Sequence, residues 1–446
     1  MQNTRCIHGK PHKLELLSPL LALPWLMTIF CLIFIRHDLI SIVASTSASA
    51  IFSAIILIIS FRQTANKSWK IEGNVLHFTR GVSDKRDMTL RLDRISSSEI
   101  SDTPIYSLFG GTRVRLYSCA SPRPVFSMIL PKSQAAELIN ITAAVFSTQK
   151  AKKPRYLINK KYSALLAALT SCESITPLFA SAVLCAFGRG KTEMYVIAAA
   201  LWLLAMLHTV LSVLSECRMS VCHVNCGYAI QTGFFGGRKI FIPDRAIIGM
   251  IETRNPIAAL CRAGKFELLC AGGRRITCIS WYDGDNSEQA ACRMIGCVGK
   301  TFAEISDPAS VKKHYFKQIV MCAIFASAAW RIVLSVPEAF QPAFTAVFVL
   351  MILFPLLHTV IGIHCCMEFG ISLANGSVRA CGMNPIRCKY MTLHIGQISI
   401  IKIRRSFADR LRGTCTAQII PKGCERGVKC RCLPYERFLA ACDRII

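Results

Sequence analysis

Apolar residues along the chain fall into two patterns, long unbroken runs and short alternating stretches, and the two take turns. Six runs, near 16–35, 39–61, 163–187, 194–215, 319–336 and 342–364, each predict a helix of about 20 residues, enough to cross a hydrocarbon core of ~30 Å. They come in pairs. The connections within a pair are very short, Arg36 to Asp38, Gly188 to Glu193 and Pro337 to Gln341, so each pair predicts a helical hairpin that returns the chain to the side it left.

The long segments that follow, 62–162, 216–318 and 365–446, read as strands. Arg238 to Ile251 is RKIFIPDRAIIGMI, rich in β-branched residues and bounded by Gly236–Gly237 and Asn255–Pro256, which suits strands joined by turns. Met88 to Ile100 alternates with one slip, through Leu90, Leu92 and then Ile95, and Met391 to Ile403 does so through Leu393, Ile395 and then Ile398, Ile400. Such text predicts half-buried antiparallel sheets. Each segment ends in a strand and then a short helix: VFSMIL before KSQAAELINITAAVF, ITCISW before DNSEQAACRMIGCV, VKCRC before PYERFLAAC.

The segments register on one another. LHTV occurs at Leu207 to Val210 and again at Leu357 to Val360, and the openings Arg94, Arg245 and Gln397 are spaced by 151 and 152 residues, with Leu108, Leu260 or Leu411 preceding a glycine in each copy. A fixed period identifies the unit of construction. The hairpin-plus-sheet unit is present three times, giving segments 1–62, 63–150, 160–216, 217–300, 316–365 and 366–446.

Composition agrees with a membrane chain. Of 446 residues, 52% are hydrophobic, and 53 Lys and Arg stand against 26 Asp and Glu. That excess alone would suit nucleic acid or an anionic membrane surface; the long apolar runs decide for the membrane. Nearly all of it lies in the N-terminal tail and the three long segments, which places both termini and all three sheet segments on the cytoplasmic side of the cell membrane. The 23 cysteines are spread through apolar and polar text alike and predict reduced, buried thiols.

Candidate chemistry is sparse. Glu173 lies inside the third run and Arg331 late in the fifth, where an ionisable group is costly enough to suggest function; the bland alternatives are a protonated Glu173 facing other helices and an Arg331 that snorkels to the interface. His208 and His358 occupy matching places in the LHTV elements and suit either a proton relay or interhelical hydrogen bonding. Cys217, Cys222, His223 and Cys226 lack the paired spacing of zinc sites, so no metal and no cofactor is expected. Arg94, Arg245 and Arg238 at the strand openings, with Lys160 and Lys161 beside the second hairpin, are the candidate binding residues for anionic lipid heads or a protein segment.

The residues Gly-Phe-Phe-Gly-Gly-Arg at 233–238, IPDRAIIGMI at 242–251 and Asn255–Pro256 to Gly264 resemble the bacterial membrane proteins of the YdbS/YdbT type, whose pleckstrin-homology (PH) domains follow transmembrane hairpins. The three-unit arrangement and ALTS at 168–171 resemble the YdbT branch. The resemblance implies a membrane α+β fold: three repeats of a transmembrane helical hairpin and a cytoplasmic PH-like β-sandwich with a C-terminal helix, six transmembrane helices in all. The function expected is non-enzymatic, a scaffold or stress-related accessory, such as one for antimicrobial resistance. It would bind protein, peptide or lipid heads, and its partners would be the bilayer and a membrane or cytoplasmic protein such as a smaller paralogous PH-domain protein. A transporter or channel component built on the six helices is the alternative.

Overall fold

A computed structural model describes residues 7–12, 58–62, 64–80, 86–102, 104–144, 156–157, 198–200, 202–207, 219–224, 226–232, 237–254, 263–283, 305–335, 369–374, 376–384, 387–425 and 427–445, with scattered residues in 15–56, 195–196, 210 and 359–363. The chain divides into two compact units, 1–155 with 222–246 and 156–221 with 247–446. The division falls inside the middle repeat, and the strand pairings account for it.

In the first unit, β1 (Ile7–Gly9), β2 (Ser68–Glu72), β3 (Val75–Arg80) and β4 (Arg86–Arg91) form one antiparallel sheet in that order. β1 comes from the N-terminal tail, Ile7 lying opposite Ile71. Glu15 fastens the tail. Its carboxylate pairs with Lys67 and accepts the Ile129 amide at 2.7 Å. A 3-10 turn, Leu92–Arg94, leads into β5 (Ile95–Ser101), which pairs with β6 (Gly111–Ser118), and β6 with β7 (Pro124–Pro131). Trp69, Leu76, Phe78 and Leu90 of the first sheet meet Val114, Leu116, Phe126 and Met128 of the second. Leu138 of α2 (Lys132–Ala144) joins this core. Two sheets and a covering helix are the sandwich that the alternation predicts.

The slip in the alternation has a physical cause. The 3-10 turn consumes three residues between β4 and β5, and the β5–β6 register then shifts between Ile95 and Ser97. The same pair of features recurs at Asp244–Ala246 ahead of β12 (Ile247–Arg254), and at Ile395–Gln397 ahead of β18 (Ile398–Arg404). The turns therefore open at Leu92, Asp244 and Ile395. By the turns, Arg94 matches Ala246, one position off the match with Arg245 that the sequence suggests.

The middle repeat is shared. Its early strands, β10 (Gly227–Thr232) and β11 (Arg238–Pro243), continue the first repeat's later sheet through a β5–β11 pairing. β9 (Ser220–Val224) extends that sheet, and its first residues pair with β8 (Tyr156–Leu157). In the second unit, β12, β13 (Ala263–Cys270) and β14 (Arg275–Asp283) continue into the third repeat's early strands, β15 (Gly370–Ala374), β16 (Ser377–Asn384) and β17 (Arg387–His394), through β12–β17. The third repeat ends in a sheet of three strands, β18, β19 (Thr414–Pro421) and β20 (Val428–Pro434), and in α5 (Tyr435–Ile445). Phe438 of α5 inserts fully among Cys415, Ile419 and Cys430.

Short helices α1 (Pro104–Leu108) and α4 (Phe407–Leu411) follow β5 and β18. Each ends at a glycine in the left-handed region, Gly110 at φ 73° and Gly413 at φ 64°. That is the glycine the sequence repeats after Leu108 and Leu411, since a side chain is strained in this conformation.

α3 (Pro308–Ser335) has 28 residues. Asp307 caps it, accepting the Ser310 amide at 3.1 Å, and Pro308 takes the first position, where its missing N–H costs nothing. Among the described residues no helix is long and apolar enough to cross a membrane. Spans one and three of the six expected lie outside them entirely, spans two and six largely so, and span four in part.

Candidate functional site

The two places where one repeat's strand meets the next are built alike. Counting from the 3-10 turns, the fifth residue after one turn faces the fourth before the next: Glu99 opposite Ile240, and Ile251 opposite Met391. Ser101 opposite Arg238 and Thr253 opposite Lys389 keep the same register. One geometry is used twice.

Each junction buries a carboxylate under arginines. Glu99, 1% exposed, accepts hydrogen bonds from Arg238 at 2.8 and 3.0 Å, Arg115 at 3.1 Å and the Tyr117 hydroxyl at 3.0 Å. Arg238 belongs to the second repeat and its planar fork meets both oxygens, the geometry that makes arginine the preferred carboxylate partner. Glu252 pairs with Arg254 and lies 3.6 Å from Arg379 of the third repeat, while Arg254 and Arg379 stand 4.7 and 5.4 Å from the Tyr390 ring. Glu252 is one position further along its strand than Glu99, so the two carboxylates sit on opposite faces of their sheets.

Of the candidate binding residues, Arg238 is thus engaged across a junction. Arg94 and Arg245 are both exposed, and both act electrostatically on Cys119, whose amide donates to the Arg94 carbonyl at 3.2 Å. Burial pushes the Cys119 thiol up, and the two guanidinium groups oppose that rise. The structure therefore brings Arg94 and Arg245 into one neighbourhood in the first unit. Lys160, Lys161, Glu173, His208 and His358 lie outside the described residues. Arg331 is exposed on α3.

His223 lies 3.5 Å from Asp244 and packs edge-on to Tyr228. No group of three or more metal-ligating side chains occurs among the described residues. The side chains of Cys270, Cys278, Cys381, Cys388, Cys415, Cys430, Cys432 and Cys442 are buried, which suits their role as small apolar fillers. The Glu99 junction was missed by sequence reasoning, yet it left a signal. Ser96, Ser97, Ser98 and Glu99 are an unbroken polar run inside a strand, and all four are buried.

In the first module two sheets pack face to face and a C-terminal helix closes them. Residues 19–145 match the family of the bacterial PH domain. The match takes in the first module together with most of the apolar pair before it. No curated protein and no solved structure matches the chain. A PH-type module suggests a binding or scaffold role.

Proposed function

We propose that the chain is a non-enzymatic integral protein of the cell membrane whose three PH-like modules, joined strand to strand on the cytoplasmic face, form a scaffold for a protein, peptide or lipid-head partner. The observation that carries this reading is the division of α3. Val311 and Tyr315 in its first turns are buried against Phe369, Cys381, Cys388, Tyr390 and Cys432 of the third repeat. Beyond that contact Val320, Met321, Ile324, Trp330 and Leu334 are exposed. Lys312, Lys313 and Lys317 stand exposed where the two parts meet, at the level where anionic lipid heads attract cations by about 1 kcal/mol per charge.

The same exposure recurs ahead of the other modules, in Ile51, Ile55, Ile58 and Phe61 and in Trp202, Leu203, Leu204 and Leu207. Covering each such side chain contributes roughly 1.5–3 kcal/mol, and a bilayer would cover all of them. Membranes washed in alkaline carbonate test the reading. The full-length chain should stay in the membrane pellet, with the introduced cysteines of Arg94→Cys, Arg245→Cys and Gln397→Cys, each read in its own peptide by mass spectrometry, labelled by an impermeant maleimide only when the cytoplasmic face is open. Release by carbonate, or labelling from opposite faces, would overturn it.

A further inference from the structure

β18 is the third strand of its kind, and it differs from the first two in what lies beside it. β5 and β12 each pair on one side with their own hairpin and on the other with a strand of the next repeat. Under that cover Glu99 and Glu252 are 1% and 2% exposed. Among the described residues β18 pairs with β19 alone, and Ile400, Lys402, Ile403 and Arg404 are exposed. An open strand edge is a row of unmet backbone donors and acceptors, ready to pair with another chain.

We infer that the β18 edge docks an antiparallel edge strand of a partner protein bearing carboxylates at two positions, in the register of the two internal junctions. Charge identifies the occupant. In each internal junction the strand after the turn brings a glutamate and the next repeat brings an arginine, Arg238 or Arg379. In β18 the place of Glu99 is taken by Lys402, with Arg404 two residues on and therefore on the same face. The nearby Asp409 is engaged in a capping box with Ser406, and Arg405 stacks 3.9 Å above the Tyr435 ring. The edge is basic.

A second copy of this chain would offer β4, and the shared register would set Arg86 opposite Arg404. Like charges directly opposite each other destabilise a strand pair. The occupant is instead a strand with acidic residues opposite Lys402 and Arg404, its backbone pairing giving affinity and its side chains giving choice.

This inference rests on the scaffold reading and names the class of its partner. The probe is a synthetic hairpin of residues 377–394 carrying Lys389→Glu and Met391→Glu, the two positions the register sets opposite Lys402 and Arg404. It is titrated by fluorescence anisotropy into the full-length protein in detergent under reducing conditions. It should bind about 10-fold more tightly than the unaltered hairpin, more weakly as salt rises. The preference should reverse in the Lys402→Glu/Arg404→Glu protein, whose altered side chains are exposed. Equal binding of both hairpins, no binding, or a preference for a hairpin of residues 75–91 would overturn it, the last by assigning the edge to a second copy. Any of these leaves the carbonate result untouched, so the two readings fail separately.

Discussion

Arg238 holds both carboxylate oxygens of Glu99, at 2.8 and 3.0 Å, across 139 residues of sequence. The pair joins two repeats, and it is asymmetric. Glu99 is buried with Arg115 and Tyr117 also upon it, whereas half of the Arg238 side chain meets solvent. Removing the buried partner strands several donors; removing the exposed one leaves Arg115 and Tyr117 still upon Glu99. Glu99→Ala should therefore lower the unfolding free energy by about 3–5 kcal/mol, and Arg238→Ala by only about 1–2 kcal/mol. Urea midpoints of the two variants check the order.

Gly249 occupies the corresponding junction in the second unit. A Cβ there would meet the Thr392 carbonyl oxygen and the Leu393 side chain, both on β17. Backbone cannot yield as a side-chain tip can, so Gly249→Ala should cost at least ~2 kcal/mol. Gly376→Ala, at φ 71° with open space around it, should cost only about 1–2 kcal/mol for the left-handed conformation. Amide exchange in β12 and β17 should quicken in the first variant alone.

Burial holds the Cys278 and Cys430 thiols up to about 12, and the Cys415 and Cys432 thiols up to about 11. A folded value above the unfolded one means the unfolded chain gives up its protons first. Stability should thus be intact below pH ~9 and fall as pH rises from there toward about 11 to 12. At neutral pH N-ethylmaleimide should modify the exposed Cys119 in the folded protein while Cys278 and Cys430 stay unmodified, as mass spectrometry of the peptides would show.

His314 lies in the first third of α3, 3.5 Å from Arg431. Burial first, then the charges of Arg431 and Arg412, hold its imidazole below the usual range; Asp409 opposes them and Lys317 assists. The folded state therefore favours the neutral ring. Its contribution is fully present above pH ~6.5 and is lost as pH falls below that value toward the lower folded one. Protease cleavage of α3 should accelerate between pH 7 and 5, and His314→Gln should flatten that dependence.

The sequence made the modules legible because period-two alternation reports which side chains share a face. Leu76, Phe78 and Leu90 are in the core for that reason. It also marked where the first and third of these strands would slip, at Leu92 to Ile95 and Ile395 to Ile398, though not that the slip is a 3-10 turn followed by a register shift. What alternation does not report is the neighbour along the hydrogen-bonding direction. Backbone groups of β5 pair equally well with any strand, so the partnership with β11 was invisible, as was the recruitment of Ile7–Gly9 to β2. Only the buried run from Ser96 to Glu99 hinted at it, because polar side chains leave water only when polar partners wait for them. For the same reason the sequence showed Arg238 only as a basic residue at a strand opening and not as the partner of Glu99.

Cross-linking decides whether consecutive repeats share sheets in one register. Ser98 lies opposite Phe241, and Met250 opposite Thr392, and facing residues of an antiparallel pair are within disulfide reach. In the full-length protein, Ser98→Cys with Phe241→Cys, and Met250→Cys with Thr392→Cys, should each give the linked peptide under mild oxidation, faster than the shifted control of Ser98→Cys with Ile240→Cys. Linkage of the shifted pair first, or of neither designed pair, would contradict the shared-sheet architecture.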